Sequence, residues 1–340
     1  MKYRALNIFI VIIATMIIWS GDVNAQDPLP AQYFNVRHYS NPAYTALFGK
    51  DFRISALNRR QWGWLPGGYT TNMVSGETGF FRDRSGLNSM GVGLVILQDK
   101  AGKPAYQSFM AQCNIATHLR IDAGVYLSMG IAGKYIQRSM DFTALRWDSQ
   151  YNGVNHDPGI DSGENPGDMS RSIFDLSWGA AVSGGTGQNE TTVGYAFHHL
   201  RQNESVMANG TSKLPMLHEL SAFNRTKLRK TELMSDLKIN RQAGAMMISA
   251  MARLGYRFGS DSRYTDFRTS TLIYAGIGYR WADAILFAAG CEYERRFNIG
   301  IAYELTTSVV SDQAGSNGAM EIVLSWSGLR TSTRRTLSKT

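Results

Sequence analysis

The amino-acid sequence predicts an all-β fold: an integral outer-membrane antiparallel β-barrel of about fourteen strands, in a Gram-negative bacterium, after a cleaved signal peptide. Three observations predict it. The chain opens on a secretory leader. Much of the remainder alternates apolar with small or polar residues at a period of two. No later stretch approaches the ~18 consecutive apolar residues of a membrane-crossing helix.

The leader has three parts. Lys2 and Arg4 give a positive start, Leu6 to Trp19 is an apolar run, and Val23-Asn24-Ala25 offers a small-residue cleavage site before Gln26. An uncleaved anchor is the alternative, but the run is short of the ~20 residues a spanning helix needs. No Cys adjoins the cleavage site, so nothing indicates a lipoprotein. With helices set aside, lipid leaves only a closed barrel, because every backbone N–H and C=O must be paired within the protein.

Composition agrees. The mean hydropathy of −0.22 is that of a soluble protein, which a barrel tolerates because only alternate residues face lipid. Glycine (34 of 340) and aromatics (11%) supply small inward and interfacial outward positions. Cys113 and Cys291 imply no disulfide framework. The formal charge of +8 is concentrated at Lys213 to Arg241 and in the tail with Arg330, Arg334, Arg335 and Lys339. Those segments read as solvated loops, or as contacts for anionic headgroups or an acidic partner. Nucleic acid is not expected as a partner outside the inner membrane.

Successive strand residues point to opposite faces, and the alternation is explicit. Ala123, Val125, Leu127, Met129, Ile131 and Tyr135 face one way, against Asp122, Gly124, Ser128, Gly130 and Lys134. Phe174 to Val182, Met246 to Phe258, Phe297 to Leu305 and Met320 to Trp326 repeat the pattern. Strands are expected at 52–61, 69–81, 88–98, 105–119, 122–137, 171–184, 190–201, 214–225, 229–240, 243–258, 269–280, 283–292, 295–308 and 317–328. An even number suits a bacterial barrel. The stretch 213–241 is ambiguous, since KLRKTELMSDLK also reads as helix.

Very short links are expected at Leu119–Asp122, Arg280–Asp283 and Glu292–Arg295, and a long polar loop from Met140 to Arg171. Short turns on one side and long loops on the other are barrel asymmetry. Tyr135, Tyr256, Phe258, Tyr279, Trp281, Tyr303 and Trp326 lie near strand ends like an interfacial girdle, which a β-sandwich or propeller does not explain. No repeat of ~20–50 residues supports a propeller. The organisation expected is signal peptide 1–25, an N-terminal segment 26–50 that acts as plug or periplasmic extension, a barrel 51–328 and a basic tail 329–340.

Chemistry-bearing motifs are sparse. His198-His199 would point to opposite faces of a strand, one toward lipid or the interface and one into the lumen, which disfavours a shared metal. His38, His118, His156 and His218 lack ligand spacing. No G-x-S-x-G elbow or H-E-x-x-H occurs. Gly91-Val92-Gly93 reads as strand and Gly184-Gly185-Thr186-Gly187 as a hairpin turn. Asp157, Asp161, Glu164 and Asp168 do not follow the EF-hand spacing. No catalytic, cofactor-binding or metal-binding residues are expected, no cofactor, and no enzymatic activity.

Several segments together resemble the PorP/SprF family of type IX secretion system outer-membrane proteins. They are Gln26-Asp27-Pro28, Gln32-Tyr33 and Asn41-Pro42-Ala43-Tyr44; Asn58-Arg59-Arg60-Gln61-Trp62 and Tyr69-Thr70-Thr71; Gln98-Asp99-Lys100-Ala101-Gly102; Tyr135 to Phe142 with Trp147 to Tyr151; Ala196-Phe197-His198-His199-Leu200 with Gln202 to Ser205; and Ile299 to Thr306 with Glu321 to Ser325. The order holds over nearly the whole chain after residue 25. The sequence departs from the pattern at Met320, where a His commonly precedes the Glu, and in the basic tail beyond Trp326, where such barrels usually end on an aromatic.

The resemblance implies a non-enzymatic outer-membrane component of the apparatus that exports proteins to the cell surface, supporting surface adhesins in gliding cells. It implies periplasmic ring proteins, a peptidoglycan-binding lipoprotein and secreted or surface-anchored proteins as partners, beside the outer-membrane lipids. Two other functions compete. A channel or transporter for a small or hydrophobic solute needs a path through the lumen, whereas a filled lumen favours a platform. An outer-membrane hydrolase needs a Ser–His pair on neighbouring strands at the membrane rim.

Overall fold

A computed structural model describes residues 29–328 apart from 64–67, 83–87, 103–105, 141–146, 158, 162, 164–169, 187, 203–213, 260–269 and 309–316. The expected signal peptide, residues 26–28 and the basic tail lie outside the described residues. A short helix α1 (Arg37–Ser40) and a 3₁₀ turn (Pro42–Tyr44) precede the strands. These are β1 (Phe52–Gln61), β2 (Tyr69–Arg82), β3 (Asn88–Ala101), β4 (Tyr106–Asp122), β5 (Val125–Met140), β6 (Ser170–Thr186), β7 (Asn189–His198), β8 (Leu217–Leu228), β9 (Thr231–Gln242), β10 (Ala245–Phe258), β11 (Thr271–Arg280), β12 (Ala284–Tyr293), β13 (Phe297–Thr306) and β14 (Asn317–Gly328). A second 3₁₀ turn (Asp148–Gln150) lies between β5 and β6.

Every strand pairs antiparallel with its neighbours in sequence, and β1 pairs with β14, so the described strands close into a fourteen-stranded barrel. Closure removes both sheet edges. The faces separate cleanly. On β3, Met90, Val92, Leu94 and Ile96 are 40–44% exposed while Val95 and Leu97 are 0% and 2% exposed. Aliphatic side chains presented outward in rows, with Gln112, Asn114, Asp175 and Arg253 buried inside, are the inverse of a soluble fold and match a wall bathed in lipid.

The aromatic girdle resolves into two belts. Tyr256, Phe258, Tyr293, Phe297 and Trp326 lie toward one end, and Tyr135, Tyr279, Trp281 and Tyr303 toward the other, all exposed. Trp326 packs edge-on to Phe52 (5.0 Å) and stacks on Phe297 (6.4 Å).

The expected boundaries shift at several links. β4 continues to Asp122, and the turn is Ala123-Gly124, where Gly124 has φ 76°; glycine adopts this left-handed conformation without steric cost. Gly184, Gly185 and Thr186 of the expected turn stay in β6, and Gly187 lies outside the described residues. The ambiguous 213–241 stretch forms β8 and β9, joined by Arg229-Lys230. Its helical propensity yields to the ladder, because period two sends Met234, Asp236 and Lys238 into the buried interior.

The sorting of loops is incomplete. The links 123–124, 187–188, 229–230 and 294–296 share one end with 83–87 and 259–270, and the loops 141–169, 199–216 and 307–316 share the other. The short Arg280–Asp283 link lies with the long loops, because β11 runs toward that end. An even strand number puts the start of β1 and the end of β14 at the short-turn end, the periplasmic one in such barrels.

Placing Arg at Ile301, in the middle of the outward row of β13, should destabilise the barrel by about 2–4 kcal/mol. Urea titration of the variant in lipid vesicles measures this, and an unchanged midpoint would remove the position from the lipid face.

Candidate functional site

The lumen is the candidate site, and residues 29–50 occupy it. This segment bonds to or packs against inward side chains and glycines from β2 round to β14. It runs from Leu29, beside Asn240 and Gln242 at the long-loop end, down to Asp51, whose N–H donates to Gly328 O at the short-turn end.

Carboxylates on the wall capture the segment's backbone. Glu321 on β14 accepts from Ala31 N (2.7 Å) and Gln32 N (2.8 Å) with its two oxygens. Glu77 on β2 accepts from Ala46 N (2.6 Å) and from Arg53 Nε (2.7 Å), and its Oε1 lies 3.2 Å from His38 Nδ1. Charge-assisted bonds to backbone N–H groups are the stronger kind. Side-chain donors take the opposite polarity. Asn114 Nδ2 donates to His38 O (2.8 Å), and His118 Nε2 donates to Thr45 O (2.9 Å), which leaves His118 Nδ1 to accept from Ser128 (2.8 Å).

The middle of the segment is seated by shape. Asn41 caps the Pro42–Tyr44 turn, accepting from Ala43 N at 2.8 Å. The turn lies against Gly130, Gly179 and Gly194 on β5, β6 and β7, where an added Cβ would meet Pro42, Asn41 and Tyr44. Glycine serves the close approach of two backbones at Gly130, and makes room for the Asn41 and Tyr44 side chains at Gly179 and Gly194. Aromatic and cationic groups fill the opposite side: Arg253 lies 3.4 Å over the Phe34 ring, Arg37 lies 4.0 Å over Phe223, and Tyr44 meets Phe223 edge-on. Tyr44 Oη pairs with Ser221 Oγ at 2.9 Å.

Paired charges line the remaining wall. Glu304 is held between Arg59 and Arg280, with Arg280 Nη2 donating at 3.0 Å, and Arg280 Nη1 also reaches Asp283 at 2.9 Å. Lys238 pairs with Glu219 at 2.9 Å and donates to Ser40. Removing one partner of a buried pair costs more than the pair contributes, because it leaves a desolvated charge. A recess of about 440 Å³, partly open to solvent, remains at the long-loop end between Leu29, Tyr39, Lys134, His198 and Gln242.

The histidine pair needs a correction: both rings are buried inside, with His198 2% and His199 0% exposed. β7 ends at His198, and His199 takes φ 60°, so strand alternation no longer applies and its ring turns inward. His199 Nδ1 pairs with Asp175 Oδ2 (2.8 Å), while His198 Nδ1 lies 3.0 Å from both Ser177 Oγ and Lys134 Nζ.

Ser–His neighbours therefore exist, Ser177–His198 and Ser128–His118, but all four residues are at most 5% exposed. Lys134 competes for the one lone pair of His198 Nδ1. Among the described residues no three His, Cys, Asp or Glu side chains group as metal ligands. Asp157 and Asp161 accept from Gly159 N and Gly163 N within their own loop, and Glu164 and Asp168 lie outside the described residues. Cys113 and Cys291 are free thiols. Glu77, Glu321 and the glycine floor were the positions that sequence reading missed as a site; their only signal was inward parity.

Fold and lumen define the class: an integral outer-membrane β-barrel filled by its own N-terminal segment. The sequence matches the family described as type IX secretion system membrane protein PorP/SprF over residues 22–326, and the chain belongs to that family. No curated protein matches the sequence. Among solved structures, the toluene transporter TbuX of Ralstonia pickettii is similar at TM-score 0.52 and 9% identity, over 92% of this chain and 97% of that one. A Pseudomonas aeruginosa FadL homologue (TM-score 0.44, 10% identity, 91% and 96% covered) and the CymD monoaromatic hydrocarbon channel (0.48, 10%, 91% and 95%) also match. At these identities the likeness is one of fold.

Glu321→Ala should weaken seating of the segment by about 2 kcal/mol through loss of two charge-assisted bonds. Limited proteolysis in detergent should then cut within 29–50 faster, with the barrel intact. Gly130→Val should do the same through backbone collision, and wild-type protection in both variants would show that these contacts do not hold the segment.

Proposed function

We propose that the protein is a non-enzymatic outer-membrane platform of the type IX secretion apparatus, anchoring or helping to export surface proteins. Family membership carries the apparatus. The observation that carries the platform is the lumen filled by residues 29–50, locked at Glu77, Glu321 and the glycine floor. Solute transport would require that segment to leave or rearrange. Hydrolysis would require a serine open to substrate, whereas Ser177 and Ser128 are buried beside their histidines.

A rigid barrel frees its loops for partners. The long 141–169 loop at the outer end is assigned to surface-anchored or secreted proteins. The short-turn end, facing the periplasm, is assigned to the ring proteins and the peptidoglycan-binding lipoprotein.

Affinity purification of the tagged protein from outer membranes in mild detergent tests the reading. Ring proteins, the lipoprotein or a large surface protein should co-purify, and deleting 141–169 should reduce recovery of the surface protein while the barrel stays heat-modifiable. Recovery of the folded barrel alone from wild type would overturn the platform. In planar bilayers the wild type should conduct negligibly, and a variant lacking 29–50 should open stable channels. Wild-type conductance equal to that of the deletion would restore the transport reading.

A further inference from the structure

Two rows of outward residues on different parts of the wall invite comparison. On β11–β14, Ile273, Cys291, Ile299 and Leu324 are successive neighbours in register. On β6–β9, the corresponding run is Gly184, Thr191, Asn224 and Ser235. Every one of these residues lies two or four positions in from the short-turn end of its strand. The first row is greasy, with Ile273, Ile299 and Leu324 51–53% exposed. The second is polar.

The polar row is organised. Asn224 Nδ2 donates to Thr191 Oγ1 at 2.8 Å, and Thr226 Oγ1 donates to Asn224 Oδ1 at 3.1 Å. Asn189 sits opposite Thr226, one step nearer the rim. At the rim itself the exposed Arg229-Lys230 link adds positive charge. The aromatic belt of the short-turn end runs through β10, β12, β13 and β14, and β6–β9 carry no aromatic there. Above the row, Val182, Val193, Ala222 and Leu237 resume the apolar wall.

Hydrocarbon around Asn224 and Thr191 would leave polar groups with only each other as partners, at a desolvation cost. A wall with a short apolar height is accommodated by a thinner bilayer. We infer that the periplasmic leaflet is thinned along β6–β9, with phospholipid headgroups seated on the Thr191–Asn224–Ser235 strip. Phosphates are the complement of the Arg229-Lys230 rim, and Thr186, Asn189 and Thr226 carry the strip toward it, with the exposed Leu228 and Leu233 between. Basic residues at a membrane surface attract anionic lipid. The occupant is therefore lipid, not the secretion partners proposed above.

The test uses the full barrel in phosphatidylethanolamine–phosphatidylglycerol vesicles and a charged, membrane-impermeant maleimide. Native Cys291 in a Cys113→Ser background reports the greasy row. Thr191→Cys and Asn224→Cys, each with Cys113→Ser and Cys291→Ser, report the polar row, and Arg229→Cys sets the rim rate. Heat-modifiability checks folding of each variant. Thr191→Cys and Asn224→Cys should label near the rim rate, at least about tenfold faster than Cys291. Labelling as slow as Cys291 would overturn the inference. So would fast labelling in vesicles with protection in native outer membranes, which would assign the strip to a protein. Making the strip apolar, as Thr191→Val with Asn224→Leu, should slow labelling of Ser235→Cys; an unchanged rate would also count against thinning.

Discussion

A backbone amide placed in hydrocarbon has no water to pair with, and that constraint shapes this molecule throughout. Only a closed ladder satisfies it for a chain without spanning helices, and the pairing of Phe52–Gln61 with Gly328–Ala319 is the seam that completes the ladder. Once the ring is closed, parity decides everything else. Each strand gives one set of side chains to lipid and the other to the lumen, so Phe174 and Asp175, adjacent in sequence, meet opposite surroundings.

A ring of fourteen strands is wider than its own side chains readily fill. Here the interior is filled by the chain's N-terminal segment rather than by bulky wall residues. That choice explains both the glycines and the acids of the lumen. Gly130 makes room for a second backbone, and Gly179 and Gly194 for the Asn41 and Tyr44 side chains. Glu321 and Glu77 then satisfy N–H groups that a segment with only one short helix leaves open. Buried carboxylates would be costly alone, and each is met by a cation: Arg53 for Glu77, Arg59 for Glu321 at 3.7 Å.

The outer wall shows the same physics with less uniformity. Its apolar surface is continuous along β11–β14 and interrupted along β6–β9, where small polar residues bond to one another. The barrel is thus asymmetric around its circumference as well as from end to end, and the filled lumen and the polar strip are separate features of the same strands.

The alternation of Phe297 to Leu305 or Met320 to Trp326 was enough to determine strands, outward faces and the closed barrel, because parity is local and needs no partner. The ordered motifs from Asn41-Pro42-Ala43-Tyr44 to Glu321 were enough for the family. Turn positions were less legible: Ala123-Gly124 and the 213–241 stretch depend on where the ladder can continue, which is settled by the neighbouring strand. The site was hardly legible. Glu321 reads in sequence as one more inward polar residue, and His198-His199 as an ordinary strand pair. Tertiary structure alone decided that Glu321 meets Ala31, some 290 positions away, and that His199 turns inward at the end of β7. The reason is that strand parity fixes the face a side chain occupies, while its partner is fixed by barrel closure and by the path of the segment threaded through it.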